Sequence, residues 1–191
     1  LWFWLRGSDR GELLHLGREW TGTVADGFDV ESIVDGFKYR DSRDLTGYED
    51  GTENPEGDDA VAAAVQSGRG AGLDGSSFVA VQQWGHELDH FQSLDESERD
   101  DIIGRRIEDN EELDDAPPSA HVKRSAQEDF EPEAFMLRRS LPWADSSGEG
   151  LMFVAFGHSF EAFGAVMQRM AGLDDGIVDA LFRFSQPITG S

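Results

Sequence analysis

There is no cysteine in the 191 residues. The chain therefore has no disulfide, no thiolate nucleophile and no Cys-ligated zinc or iron–sulfur cluster, and any bound metal must rest on His, Asp or Glu. Long apolar runs are missing too. No window reaches the roughly 18 apolar residues that a membrane-crossing helix needs, and no charged-then-apolar leader opens the chain, which predicts a soluble, cytoplasmic protein. Lysine is scarce: only Lys38 and Lys123 occur, so arginine carries nearly all the positive charge. Sixteen basic residues face 39 acidic ones, for a formal charge of −23. Such a surface repels phosphate backbones and anionic membranes, which argues against nucleic-acid binding. It suits a halophilic protein, whose salty surroundings screen self-repulsion. Unfolding in low salt is the expectation, and indifference to salt would remove it.

What is present is enough for one or two small domains: 38% of the residues are hydrophobic. The chain opens on LWFWLRG without an initiating Met and stops at QPITGS just after an apolar segment, which predicts a fragment of a longer protein. LWFWL (1–5) reads as a strand, and DRGELLHLGREW (9–20) as a helix capped by Asp9. Residues 35–59, rich in Gly, Asp, Asn and Pro, form a long connection of a type that is usually functional or disordered. VAAAVQSGRGAG (61–72) is compatible with a short helix or a mobile insertion. SSFVAVQQWGH (76–86) alternates as a strand, and LDESERDDIIGRRI (94–107) suits a helix with acidic start and arginine-rich end. FMLRRSLPW and GLMFVAFG (135–143, 150–157) read as strands around a turn, SFEAFGAVMQRMAG (159–172) as an amphipathic helix closed by Gly172, and LFRFSQPIT as a final strand. Strand, helix, strand, strand, helix, strand is the ferredoxin-like α+β order, an antiparallel sheet with helices on one face.

Two motifs compete for the chemistry. His86, Glu87, Leu88, Asp89 and His90 spell HExxH, in which two histidines one helical turn apart bind zinc and the Glu activates water, giving a zinc-dependent hydrolase. It begins directly after a strand and lacks a clear third ligand, so the alternative is a solvated first helical turn. Upstream, GYEDGTENPEG (47–57) sets Asp50 among glycines; taken alone it is a turn cluster. His121 in SAHVK and Arg138 in LRRSLPW are, separately, an exposed loop histidine and a strand arginine paired with an acid. In sequence order they offer an acid, a metal ligand and a cation.

In that order and spacing, the segments DRGELLHLGRE, GFKYRDSRDLTGYEDGTENPEG, FVAVQQWGHELDHFQSL, IIGRRIEDNEELDDAPPSAHV, LRRSLPW, GLMFVAFG and LFRFSQPITG resemble the dye-decolourising (DyP-type) peroxidase family, whose members bind haem b. The resemblance implies a ferredoxin-like fold of the dimeric α+β barrel-like superfamily. It also implies that this chain is the second half of a two-domain protein: 1–34 the end of an N-terminal domain, 35–75 an interdomain segment, 76–191 the haem-binding domain. It assigns His121 to the iron, Asp50 to peroxide proton transfer and Arg138 to charge stabilisation. Gly51 would allow close approach, while Thr52, Glu53 and Asn54 would order water or the haem edge. Ser140 stands where many relatives carry Asn, and Arg183 where many carry an acid that orients the proximal histidine; Asp179, one helical turn earlier, is the substitute. The implied reaction reduces hydrogen peroxide through a ferryl intermediate and oxidises dyes or other organic donors. A homo-oligomer and packaging in an encapsulin shell are implied as well. The other readings are the zinc hydrolase and a haem-handling or inactive assembly module.

Overall fold

The structure, a computed structural model, describes residues 1–190 and divides into two units, Leu1–Asp35 and Gly36–Ser191. In the first, Asp9 caps helix α1 (Arg10–Val24) by accepting from the Glu12 amide at 3.0 Å, as its sequence predicts. The preceding LWFWL is not a strand. A strand needs a neighbour for its backbone groups, and this unit contains no other strand. Its rings pack instead: Trp2 stacks with Trp4 at 6.1 Å, and Phe3 meets Trp20 of α1 edge-on at 5.1 Å.

The second unit runs α2 (Gly57–Ala64), β1 (Phe78–His86), α3 (Leu88–Ser93), α4 (Glu96–Ile103), α5 (His121–Ser125), β2 (Leu137–Arg138), β3 (Leu141–Asp145), β4 (Gly148–Gly157), α6 (Glu161–Met170) and β5 (Ser185–Pro187). β2 and β3 both pair with β4, so they act as one strand interrupted at 139–140, and the sheet order is β2/β3, β4, β1, β5, antiparallel throughout. This is the ferredoxin-like α+β fold expected from the sequence, with α3 to α5 as the first crossover and α6 as the second.

The long β1–β4 ladder sets which side chains meet. Trp84 lies opposite Leu151 and Gln82 opposite Phe153, so alternate residues of both strands share one face. On that face Trp84, Met136, Ala155, Val166 and Met170 form one core; Tyr48, Phe91, Ile102, Ala180 and Phe184 form a second. Among the described residues no helix is long and apolar enough to cross a membrane.

α4 is shorter than its sequence suggests. Asp95 and Glu98 form a reciprocal capping box at its start, but Gly104 adopts φ +94° and ends the helix, leaving Arg105 and Arg106 outside the last turn. The arginines pair with acids of the following loop and beyond rather than with the helix dipole: Arg105 with Glu53 at 2.9 Å, Arg106 with Asp109 at 2.9 Å. Residues 61–72 resolve into the end of α2 and a turn held by Gln66, whose amide donates to Ser76 and whose carbonyl accepts from Gly75.

Candidate functional site

A cavity opens between the two cores. Its apolar wall comes from the sheet face (Leu151, Phe153) and from α6 (Phe163, Val166, Met167, Met170). Asp50, His121 and Arg138, from distant parts of the chain, are among the polar side chains that line it. The residues expected from the sequence to work together are thus brought to one wall-enclosed space.

His121 begins α5. Its Nδ1 lies 2.8 Å from Oδ2 of Asp179, whose side chain is fully buried. The other Asp179 oxygen accepts from the Leu181 amide, which fixes the carboxylate at the start of a 3-10 turn. With Nδ1–H directed at a carboxylate, the Nε2 lone pair is free for a metal. Burial presses the His121 pKa down, but the adjacent Asp179 carboxylate more than offsets this and the net shift is upward; Arg138 opposes and Asp50 reinforces it. Asp179 therefore takes the orienting position for which it was the sequence substitute, and Arg183 is solvent-exposed.

Gly104 allows this arrangement. A Cβ there would stand 2.2 Å from Val122 Cγ1 and 3.2 Å from the Ala120 Cβ, so only glycine lets the end of α4 lie against the turn that carries His121.

The acid's loop is held by its neighbours. A tight turn joins Asp44 and Tyr48 (Asp44 N to Tyr48 O, 2.9 Å), and Arg43 donates to the Gly47 carbonyl and to Glu49. Asn54 then clamps the loop onto β2: its Oδ1 accepts from the Arg138 amide at 2.7 Å, and its Nδ2 donates to the carbonyls of Arg138 and Gly51. Gln127 adds a second brace, donating to the Glu53 carbonyl and accepting from the Met136 amide.

Several expected contact residues sit differently. Gly51, Thr52, Glu53, Asn54 and Ser140 do not line the cavity. Thr52 and Glu53 are exposed, Glu53 turning outward to Arg105, because the loop reverses direction at Gly51 (φ +75°). Asn54 and Gly51 act behind the wall, through the backbone. Ser140 is half-buried, with its Oγ enclosed and without a hydrogen-bond partner, as is Nε of Arg138. Arg138 lines the cavity, and its enclosed, unsatisfied Nε is what a bound polar ligand would complete.

The zinc motif does not assemble. His86 is the last residue of β1 and His90 lies in α3, so the two do not share a helix; His90 and Glu87 are exposed. Both His86 ring nitrogens are engaged, Nε2 with Asp44 at 3.2 Å and Nδ1 with Ser185 Oγ at 2.8 Å. Nor is His86 part of a solvated turn: its side chain is 5% exposed. Among the described residues no group of three or more His, Cys, Asp and Glu could hold a metal ion. Burial pushes the Asp44 pKa up, but its bond to His86 and the His86 charge, with help from Thr46, hold it below the usual value. This buried Asp44–His86–Ser185 row was not visible in the sequence, since its members lie 42 and 99 residues apart.

The family model described as "Dyp-type peroxidase, C-terminal" matches residues 41–191. A dye-decolorizing peroxidase of Rhodococcus erythropolis is 34% identical over 89% of this chain and 52% of its own length. Among solved structures, a dye-decolorizing protein from V. cholerae superposes with a TM-score of 0.86 at 32% identity, covering 95% of this chain and 61% of that one. A DypB variant from Rhodococcus jostii in complex with heme does so with a TM-score of 0.89 at 29% identity, covering 97% and 62%. The chain thus spans about half the length of the curated relative it matches. A match over nearly the whole of the second unit, with relatives alike in both sequence and fold, means that this chain belongs to the dye-decolourising (DyP-type) peroxidase family.

Proposed function

We propose that the protein is a haem b peroxidase that reduces hydrogen peroxide and oxidises dyes or other organic donors. The observation that carries this reading is the pairing of His121 with the buried Asp179 on the wall of a mainly apolar cavity that Asp50 and Arg138 also line. The residues suit the cofactor: an imidazole with Nε2 free, apolar side chains for a flat macrocycle, and an enclosed Nε at Arg138 without a partner. When bound, haem b supplies the iron at which peroxide is reduced and through which the donor is oxidised.

The protein's own part is to hold, orient and move protons. His121 Nε2 would ligate the iron, its basicity raised by the Nδ1–H bond to Asp179. Asp50 would take a proton from one peroxide oxygen and return it to the leaving oxygen. The Arg138 guanidinium would stabilise the negative charge that develops there. Leu151, Phe153 and Phe163 keep bulk water from the site. Ser140, with a shorter side chain than Asn, would order less around Arg138.

The family resemblance further supports a longer two-domain protein, with 1–34 from the first domain, 35–75 connecting, and 76–191 holding the cofactor. It also supports a cytoplasmic homo-oligomer packaged in an encapsulin shell. The test of the catalytic reading uses the full-length protein reconstituted with haem. Peroxide-driven change of the resting spectrum should slow by about 10²-fold or more in Asp50→Asn and in Arg138→Leu. Unchanged rates in both variants would contradict it.

A further inference from the structure

Helix α5 spans only five residues and has no side-chain hydrogen bond capping its start. So short a helix does not hold itself, and the direction of His121, its first residue, depends on what ties α5 from outside. One segment supplies several of those ties: the stretch that leaves α6 and leads to Asp179. Its own path is closed by the Asp179 amide, which donates to the Met170 carbonyl at 2.8 Å. From there Asp179 meets His121, and the Ala180 amide donates to the Ser119 carbonyl at 2.7 Å.

Arg124, one helical turn after His121, grips the same segment. Its guanidinium forms a two-pronged ion pair with Asp175, Nη1 donating to Oδ2 at 2.8 Å and Nη2 to Oδ1 at 2.9 Å. Nη2 also donates to the carbonyl of Arg169, in the last turn of α6, at 2.7 Å. Asp175 is fixed in turn, since its Oδ1 accepts from the Ile177 amide at 2.9 Å. Two carboxylates of one segment thus hold two basic side chains of one short helix. Arg124 is 5% exposed and does not line the cavity. An apolar side chain would fill such a place as well, and exchanging a buried ion pair for one is often neutral in stability. What the paired fork adds is a fixed distance and angle, which neither an apolar side chain nor the point charge of a lysine supplies.

We propose that Arg124 is a positioning residue for His121: its ion pair with Asp175 fixes the segment that carries Asp179, and so sets the length and angle of the His121–Asp179 hydrogen bond. The inference deepens the haem peroxidase reading above, in which His121 is the iron ligand, and rests on it. A well-aligned bond from Nδ1–H to a carboxylate makes the imidazole a stronger donor at Nε2, so slack in that bond weakens the ligand without removing it. Arg124 acts on the site only through this geometry, from outside the cavity wall.

The experiment is resonance Raman spectroscopy of the full-length, haem-reconstituted protein in its ferrous form, with the reduction potential and thermal unfolding measured in parallel. Asp179→Asn removes the carboxylate and sets the full effect: the iron–histidine stretching band falls in frequency and the potential rises. Arg124→Met should move both readouts in the same directions, by at least half of that effect, while the unfolding temperature stays near wild type. Arg124→Lys, which keeps the charge but not the fork, should move them less. Asp175→Asn is the second variant, and combining it with Arg124→Met should add nothing, because the pair acts as a unit. Wild-type band and potential in both Arg124→Met and Asp175→Asn, with Asp179→Asn shifted, would overturn the positioning role and leave the peroxidase reading standing. Wild-type protein that binds haem without an iron–histidine band would overturn both.

Discussion

The side chain of Asn54 bonds to both backbone polar groups of Arg138, accepting from its N–H at 2.7 Å and donating to its C=O at 3.2 Å. An amide side chain thus does for β2 what a neighbouring strand would do. It ties the loop that carries Asp50 to the strand that carries Arg138, 84 residues away.

Replacing Asn54 by Ala should loosen that spacing. Losing the clamp leaves the Arg138 amide and carbonyl without these partners, at a cost of about 1–3 kcal/mol in stability. Peroxide reactivity should fall by about 10²-fold, since small misplacements of catalytic groups are costly. Haem loading, assigned to His121, should change little. Stopped-flow spectra and denaturant unfolding read the two effects; equal loss of haem and reactivity would argue against the clamp.

Gly104 should resist substitution for two separate reasons. Its φ of +94° is unfavourable for any residue with a Cβ, and that Cβ would collide with Val122. Gly104→Ala should therefore destabilise the protein by about 1–3 kcal/mol. It should also weaken haem retention by displacing the turn at His121. Thermal unfolding and haem transfer to a haem-binding acceptor measure these, and a variant with wild-type values in both would show that the contact relaxes freely.

Asp44 gives a defined pH dependence. Its folded-state pKa lies below the ordinary 3.8, because its hydrogen bonds and His86 outweigh burial. A depressed folded pKa contributes stability that is fully present above the unfolded value and lost as pH falls through the folded one. Wild type should accordingly exceed Asp44→Asn in stability at neutral pH, and the gap should narrow as pH drops below about 3.8. A gap constant across the acid range would place its origin elsewhere than in the Asp44 charge.

Much of this architecture was legible in local sequence. Asp9 capped the predicted α1, β1 and β4 formed where strands were expected, and Gly172 closed the segment after α6. Asp50, His121 and Arg138 were identifiable because their motifs recur in order, and they do share one cavity. What local reading could not supply were partners distant in sequence. LWFWL has strand composition but no neighbouring strand in its unit. His86 resembled a zinc ligand or an exposed turn, whereas Asp44 and Ser185 enclose it. Gly104 shortened α4 because of its backbone angle and its fit against Val122, neither of which has a local sequence signature. Thr52 and Glu53 followed the acid closely enough to suggest contact with the site, but the reversal at Gly51 turns them outward.

The central claim is that His121, oriented by Asp179, is the iron ligand. It is tested most directly by the absorption spectrum of the full-length protein reconstituted with haem b, in wild type and His121→Ala. An intense Soret band in wild type, lost in His121→Ala and recovered on adding imidazole, is the predicted result. A Soret band of the same position and intensity in His121→Ala would contradict it.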